Sequence, residues 1–310
     1  MRTQKRFTPN LLARFERDER GTGTYAEYIP WHRVSRSDPS SHGRSHLLIW
    51  RNRQRELLSD KEWSGVNFAA MLPNVLDLNE QFPLQVEDAQ HDLARWDIRT
   101  PHKRYPGTRS IARDLGIKHP KLCNSEGEVL WRPTTDLLLL LQTSTSKREL
   151  LAVSIKSDGV EKLSKRAKQL LQLERAYWQS RGVTWLLITP SEYLKSIGLT
   201  LRRTAAWGMA APVEKSALET ACRAALAMPH RPYYDLISSL TQQLGSIAQD
   251  ALWQAVWQGL VPIDLRRGWR PHLPLTFISQ SEFWAQNPIT ARRGFVAQTS
   301  PIALVTSAHE

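Results

Sequence analysis

Two apolar runs separated by a short polar turn constrain the fold of this 310-residue chain more than any other feature. The runs are TTDLLLLLQT, at residues 134–143, and ELLAVSIKS, at residues 149–157, and STSKR separates them. Runs of this length around a turn predict two neighbouring strands. An amphipathic helical pattern follows at residues 159–182, and VTWLLITP then predicts a third, buried strand. The order strand–strand–helix–strand is typical of an α/β domain with a central mixed sheet.

The rest of the chain divides around this unit by composition. Residues 1–50 are basic and rich in loop formers, which predicts an irregular lead-in, and a helical pattern at 53–71 opens the α/β domain at 51–207. Residues 213–285 contain three successive helical patterns and then an extended basic stretch, which predicts a smaller, mainly helical, winged-helix-like domain. Residues 286–310 show little pattern and are predicted to be a flexible tail.

Net charge is the strongest signal in the composition. The chain has 42 Lys and Arg against 30 Asp and Glu, a net charge of +12, which favours a polyanionic partner. We expect nucleic acid and no membrane, because the start of the chain lacks an apolar leader core and the greasiest run, 137–141, is too short to cross a bilayer. Cys123 and Cys222 have no metal-site spacing and are predicted to be free thiols in a reducing compartment.

A candidate chemical site lies near the ends of the two central strands. Alternation along a strand places Ser154 and Lys156 on one face, and pairing of the two strands brings Asp136 close to them. A carboxylate can hold a hard cation such as Mg²⁺, for which the carbonyl of Ile155 is a further candidate ligand. A lysine beside a scissile phosphate can stabilise developing charge or help to deprotonate a water. The pattern indicates a metal-dependent phosphodiesterase, although a surface lysine and a turn-capping aspartate would share this spacing.

Glu62 is a third candidate, on the predicted helix that precedes the sheet. The sequence from Ser59 to Glu62 matches a capping box, in which Glu62 would bond back to the amide of Ser59. The helical pattern of NRQRELL just upstream favours the other interpretation, in which Glu62 lies inside the helix and faces the sheet. Both interpretations remain open at the level of the sequence.

A series of stretches, taken in order, resembles the TnsA endonucleases of cut-and-paste transposons. The stretches are LLSDKEW, LPNVLDLNEQFPL, GTRSIARDLGIKHP, TTDLLL, AVSIK and LQLERAYWQSRGVTWLLITPSE. The resemblance implies a restriction-endonuclease-like mixed sheet flanked by helices, with Glu62, Asp136 and Lys156 as the catalytic acids and lysine. Ser154 stands where that family usually has glutamine, and because a serine hydroxyl is only a weak ligand of Mg²⁺, direct binding of a second ion is in doubt.

The resemblance also implies a function. The implied protein is a Mg²⁺-dependent endonuclease that cuts the non-transferred strand at the 5′ ends of a transposon. Mn²⁺ is implied to substitute for Mg²⁺. The implied partners are transposon-end DNA, a TnsB-type transposase and a TnsC-type ATPase that docks on the C-terminal domain, in the bacterial cytoplasm at the nucleoid. The alternatives are a catalytically weak DNA-binding adaptor, in which Ser154 marks loss of the site, and a stand-alone restriction-type endonuclease.

A basic segment lies between Glu62 and Asp136 in the sequence. From Arg95 to Lys121 the chain carries eight Lys and Arg but only two acidic residues, so the segment is predicted to track a DNA backbone, with a solvated basic loop as the alternative. The candidate DNA contacts are Arg99, Lys103, Arg104, Arg109, Lys118 and Lys121.

Overall fold

The chain folds into two compact units, seen in a computed structural model that describes residues 7–36, 38, 44–124, 127–143 and 147–296. The first unit comprises Met1–Gly65 and Asn74–Thr189. The second comprises Val66–Pro73 and Pro190–Glu310.

The strands of the described residues all lie in the first unit, where they form one four-stranded sheet and three two-stranded sheets. They are β1 (His46–Trp50), β2 (Arg53–Leu57), β3 (Val75–Pro83), β4 (Ala89–Gln90), β5 (Arg104–Tyr105), β6 (Lys121–Asn124), β7 (Gly127–Leu130), β8 (Thr134–Gln142), β9 (Arg148–Ile155) and β10 (Thr184–Ile188). The largest sheet has the order β10-β9-β8-β3. Strand β10 is parallel to β9, whereas the other pairs are antiparallel, so the predicted mixed α/β sheet is confirmed.

Helices surround this sheet and make up most of the second unit. They are α1 (Pro9–Arg17), α2 (Asp60–Ala70), α3 (Thr108–Asp114), α4 (Lys165–Ser180), α5 (Lys195–Gly208), α6 (Lys215–Ala227), α7 (Tyr233–Leu244), α8 (Ala248–Trp257), α9 (Gln280–Ala285) and α10 (Pro288–Val296). Helix α2 begins in the first unit, and its residues from Val66 onward belong to the second. No helix within the described ranges is long and apolar enough to cross a membrane.

The two faces of the large sheet are covered by different helices. On one face, Leu138 and Ala152 share a buried cluster with Tyr177 and Trp178 of α4. The neighbouring Leu137 points to the other face, because side chains alternate along a strand, and there α2 packs closely. The apolar runs that predict strands are thus buried on both sides, as expected of a central sheet.

The segment before α2 differs from its prediction. Residues 53–57 were expected to begin a helix but form strand β2, which pairs with β1. The sequence RQREL shows no alternation of apolar and polar residues, because charged side chains point inward. Arg53 and Arg55 are buried, and both contact the buried carboxylate of Glu80. A strand whose buried residues are an ion cluster has no apolar period to detect.

The amino-terminal residues are also more ordered than the irregular lead-in predicted for 1–50. Helix α1 packs Leu12 and Phe15 against Trp31 in a small separate core. Its N-cap is Thr8, whose hydroxyl accepts the amide of Leu11.

The C-terminal unit contains the three predicted helices, α6, α7 and α8, inside the segment expected at 213–285. The extended stretch after them is reduced to one antiparallel bridge between Ile263 and Phe277, with a 3₁₀ turn between them, so the described residues contain no wing hairpin. The segment predicted to be a flexible tail, 286–310, contains helix α10; Asn287, just before this helix, and Ile289 within it are buried. Residues 297–310 lie outside the described part of the chain.

Candidate active site

Asp136 lies where strand pairing is interrupted on both sides of β8. The ladder to β9 ends at Leu137 and Val153, and the ladder to β3 passes over Asp136. The Asp136 side chain replaces a backbone acceptor at this point: its Oδ2 accepts a hydrogen bond from the amide of Ile155 at 2.6 Å. The same oxygen accepts a hydrogen bond from Nζ of Lys156 at 3.2 Å. The structure therefore brings together Asp136 and Lys156, as their positions on adjacent strands suggest.

Lys156 is a cation in this setting. Burial disfavours its charged form, but the carboxylates of Asp136 and Glu174 outweigh that effect, so the pKa of Lys156 is raised. Its side chain keeps 31% of its surface exposed, so it can still reach a substrate. A lysine with a raised pKa stays protonated at neutral pH, so the chemistry open to Lys156 is electrostatic stabilisation of an anion rather than general-base catalysis.

Glu62 combines the two interpretations left open by the sequence. The helix starts at Asp60, and the hydroxyl of Ser59 accepts the amide of Glu62 at 3.2 Å, as in a capping box. The carboxylate of Glu62 also contacts the residue before Ser59, because its Oε2 accepts a hydrogen bond from the amide of Leu58 at 2.9 Å. The same Oε2 also accepts a hydrogen bond from Nε2 of Gln81 at 2.8 Å. Glu62 thus caps its helix and faces β3 at the same time.

The charge of Glu62 is coupled to that of Asp136. Burial, and next the negative charge of Asp136, raise the pKa of Glu62 to about 7, against the opposing hydrogen bonds from Leu58 and Gln81. Two carboxylates whose charges repel in a partly buried setting are stabilised by a cation between them. The negative charges of Glu62 and Asp136 thus act on each other.

Close approach of α2 to the sheet depends on Gly65, one turn after Glu62. A Cβ atom at Gly65 would lie 2.2 Å from Cδ1 of Ile155 and 3.2 Å from Cδ1 of Leu137. Glycine therefore lets the first turn of the helix sit directly on β8 and β9, which brings Glu62 within range of Asp136.

Ser154 differs from its predicted role. It is fully buried, and its hydroxyl donates to the carboxylate of Glu174 on α4. The hydroxyl of Ser154, a candidate site residue in the sequence, is therefore engaged by a buried acid and is not exposed to solvent.

Glu174 is a site residue that sequence reasoning missed. It is 5% exposed, and burial raises its pKa to about 7 despite the nearby charge of Lys156. A signal was present in the sequence: Leu170 and Tyr177 lie on the apolar face of the predicted helix, and Glu174 occupies the position between them. An acid inside an apolar stripe indicates a buried partner, here Ser154 and the Asp136–Lys156 pair.

The donor set fits one hard cation that keeps part of its hydration. Magnesium in nucleic-acid enzymes is bound by one or two carboxylates, with waters and phosphate oxygens completing the shell, and Glu62 and Asp136 supply such carboxylates. The carbonyl of Ile155 remains a predicted further ligand. Across the described ranges, no group of three or more His, Cys, Asp or Glu side chains forms a closed metal cage. A cation bound here would therefore also be coordinated by oxygen atoms of a substrate.

The predicted DNA contacts separate into several places on the first unit. Arg109 and Lys121 line one cleft of about 430 Å³ together with His119. Each forms an exposed ion pair, Arg109 with Glu87 and Lys121 with Glu128. The others are not among the residues lining this cleft. Arg99 pairs with Asp97, and Arg104 donates to the carbonyl of Asp88. Lys103 lies over the ring of Tyr105, and the carbonyl of Lys118 accepts a hydrogen bond from Arg166.

A mixed sheet flanked by helices, with acids and a lysine at the ends of its central strands, defines a restriction-endonuclease-like domain. Residues 72–190 match the family model "TnsA-like endonuclease N terminal", so the resemblance seen in the sequence is confirmed for this segment. The chain is 32% identical over 188 residues to the transposon Tn7 transposition protein TnsA of Escherichia coli, covering 60% of this chain and 59% of that protein. The chain thus spans less than two thirds of that relative's length. The matched domain contains Asp136, Lys156 and Glu174 but begins after Glu62.

Proposed function

We propose that this protein is a Mg²⁺-dependent DNA endonuclease that acts as a subunit of a heteromeric transposase. The observation that carries the proposal is the contact between Asp136 and Lys156 beside the coupled carboxylate of Glu62. It is supported by the match of residues 72–190, which include Asp136 and Lys156, to the TnsA-like endonuclease model. A net charge of +12 suits a DNA substrate.

Each residue has a distinct task in this proposal. Glu62 and Asp136 hold the cation, which when bound activates a water and offsets phosphate charge. The amide of Ile155 keeps the Asp136 carboxylate in place through its hydrogen bond. The ammonium of Lys156 stabilises the negative charge that develops on the phosphate during attack. Glu174 adds negative charge near Lys156, which helps to keep that lysine protonated.

The finer proposal concerns strand choice and assembly. We propose that the cut falls on the non-transferred strand at the 5′ ends of a transposon, while a TnsB-type transposase cuts the 3′ ends. A TnsC-type ATPase would dock on the helical second unit, and the complex would act at the nucleoid in the bacterial cytoplasm. The name of the Tn7 relative, a transposition protein, supports this proposal.

The deciding assay is cleavage of transposon-end DNA by the full chain with its partner proteins and Mg²⁺ or Mn²⁺. Asp136→Ala is expected to abolish the 5′ cuts and to leave the 3′ cuts and complex assembly intact. Asp114→Ala, which alters an exposed ion pair on α3, is the matched control and should cut like wild type.

Other outcomes would contradict the proposal. If Asp136→Ala cuts like wild type, the catalytic assignment is wrong. If the wild-type chain assembles on DNA without cutting under either metal, it is a DNA-binding adaptor. Cleavage that needs neither partners nor transposon ends would identify a stand-alone restriction-type endonuclease.

A further inference from the structure

Gln81 lies opposite Asp136 in a strained conformation. On β3 it falls between two paired positions, Glu80 with Leu137 and Phe82 with Thr135, yet it is itself left out of the ladder. Its φ is +44°, a region that residues with a Cβ rarely adopt. Strain of this kind concentrates at functional sites.

The two ends of its amide have unequal surroundings. Gln81 is 2% exposed, and its Nε2 donates to Oε2 of Glu62 at 2.8 Å. Its Oε1 is buried and has no hydrogen-bond partner in the described structure. A buried amide oxygen without a donor is costly and calls for a ligand or a water. Because Nε2 is committed to a carboxylate, the amide cannot turn over without losing that bond.

The contacts of Glu62 show which of its oxygens is available. Oε2 accepts hydrogen bonds from both Leu58 and Gln81. Oε1 has only a long contact of 3.4 Å from the hydroxyl of Ser59. Gln81 and Leu58 therefore hold one oxygen of the carboxylate and leave the other to face a cation.

We propose that Gln81 is a positioning residue for cation binding at this site. It fixes the orientation of Glu62 through Nε2, and its Oε1 accepts a hydrogen bond from a water in the hydration shell of the cation. Such waters can only donate outward, and an amide oxygen beside the site is a matching acceptor. The strained backbone turns the side chain toward Glu62 and is retained for that contact. This inference rests on the proposed metal-dependent function.

The test uses Mn²⁺ binding to the full chain without DNA, measured by electron paramagnetic resonance and calorimetry. Gln81→Met keeps the size of the side chain but removes both hydrogen bonds, and is expected to weaken Mn²⁺ binding by about 10–100-fold, as loss of a ligand's supporting partner does. Gln81→Leu also removes both hydrogen bonds and adds no charge beside the two acids. It serves as the second variant should Gln81→Met not fold, and it should weaken Mn²⁺ binding to a similar extent.

Asn79 offers a matched control. It lies two residues earlier on β3, is fully buried, and its amide atoms likewise lack a described partner, but no contact joins it to Glu62. Asn79→Leu should leave Mn²⁺ affinity unchanged, and cleavage by Gln81→Met in the assembled complex should recover at high metal concentration. Wild-type affinity in folded Gln81→Met or Gln81→Leu, with the binding still abolished by Asp136→Ala, would overturn the positioning role alone. Wild-type Mn²⁺ binding that Asp136→Ala leaves intact would overturn the proposed metal site together with this inference.

Discussion

At the scale of single residues, Glu80 holds two buried arginines against the sheet. It is fully buried, its oxygens accept two hydrogen bonds of 2.7 Å from Arg53, and Arg55 lies 3.6 Å away. Removing one partner of a buried ion cluster leaves uncompensated charge, which costs about 3–5 kcal/mol. Glu80→Ala is therefore expected to lower the free energy of unfolding by about that amount, measured by urea denaturation.

A triple variant separates buried charge from lost packing. Replacing Glu80, Arg53 and Arg55 together by apolar residues of similar size leaves no charge behind, and we expect it to recover most of the stability lost in Glu80→Ala. A loss below about 1 kcal/mol in Glu80→Ala would mean that water reaches the two guanidinium groups, contrary to their burial.

Glu174 should make stability depend on pH in a particular direction. Its folded pKa of about 7 lies above the ordinary glutamate value of 4.5 because burial disfavours the charged carboxylate. The folded state therefore binds more protons than the unfolded state between these values, and stability is fully present below pH 4.5 and lost as the pH rises through 7. The difference in unfolding free energy between wild type and Glu174→Gln should shift by roughly 2–3 kcal/mol between pH 8 and pH 5 in metal-free buffer. A pH-independent difference would contradict the buried carboxylate.

The residues that the sequence revealed differ physically from those it did not. Asp136 and Lys156 were predictable because an apolar hairpin fixes which residues of two strands are neighbours. Glu174 required recognising an acid as a member of an apolar stripe. The contribution of Gln81 depends on a positive φ and on an interruption in the strand pairing. The sequence does not reveal either one, because glycine is the residue type that marks a position of positive φ in advance.

At the scale of elements, helix α2 positions Glu62 through its contact with the sheet at Gly65. Alanine at this position favours the helix by about 1 kcal/mol, but its Cβ would lie 2.2 Å from Ile155. Because the clash is with the end of a side chain, Gly65→Ala should fold with a stability change within about 2 kcal/mol. The displaced first turn should nevertheless reduce Mn²⁺ affinity and cleavage by at least tenfold. Unfolding curves together with Mn²⁺ titration test both parts, and wild-type metal affinity would show that the helix does not move.

The elements themselves were predictable to the extent that their burial is apolar. Strands β8, β9 and β10 and helix α4 follow from hydrophobic period alone. Strand β2 does not, because its inward residues are arginines neutralised by Glu80 from a distant strand. Helix α1 was missed for another reason: the surface that covers its apolar side, which includes Trp31, lies in a stretch without regular period.

At the scale of the whole molecule, an excess of twelve positive charges gives long-range attraction to DNA, but screening leaves only close contacts effective at physiological salt. Exposed ion pairs contribute little to stability, so Arg109 and Lys121 can exchange their carboxylate partners for phosphates at small cost. We therefore expect Arg109 and Lys121, in their cleft on the first unit, to contact DNA phosphates directly.

Salt dependence of DNA affinity measures how many such contacts form. Each phosphate contact contributes about −0.9 to the slope of log affinity against log salt concentration. Changing Arg109 and Lys121 together to Gln should therefore reduce the magnitude of the slope by about 2 and weaken binding uniformly across DNA sequences.

Lys215→Gln removes a 90% exposed charge on α6 and is the control, because the cleft does not include it. Fluorescence anisotropy on a transposon-end duplex between about 50 and 200 mM salt covers the informative range. An unchanged slope in the double variant, or an equal change in the control, would show that the positive charge acts as a diffuse field and that the cleft does not contact the backbone.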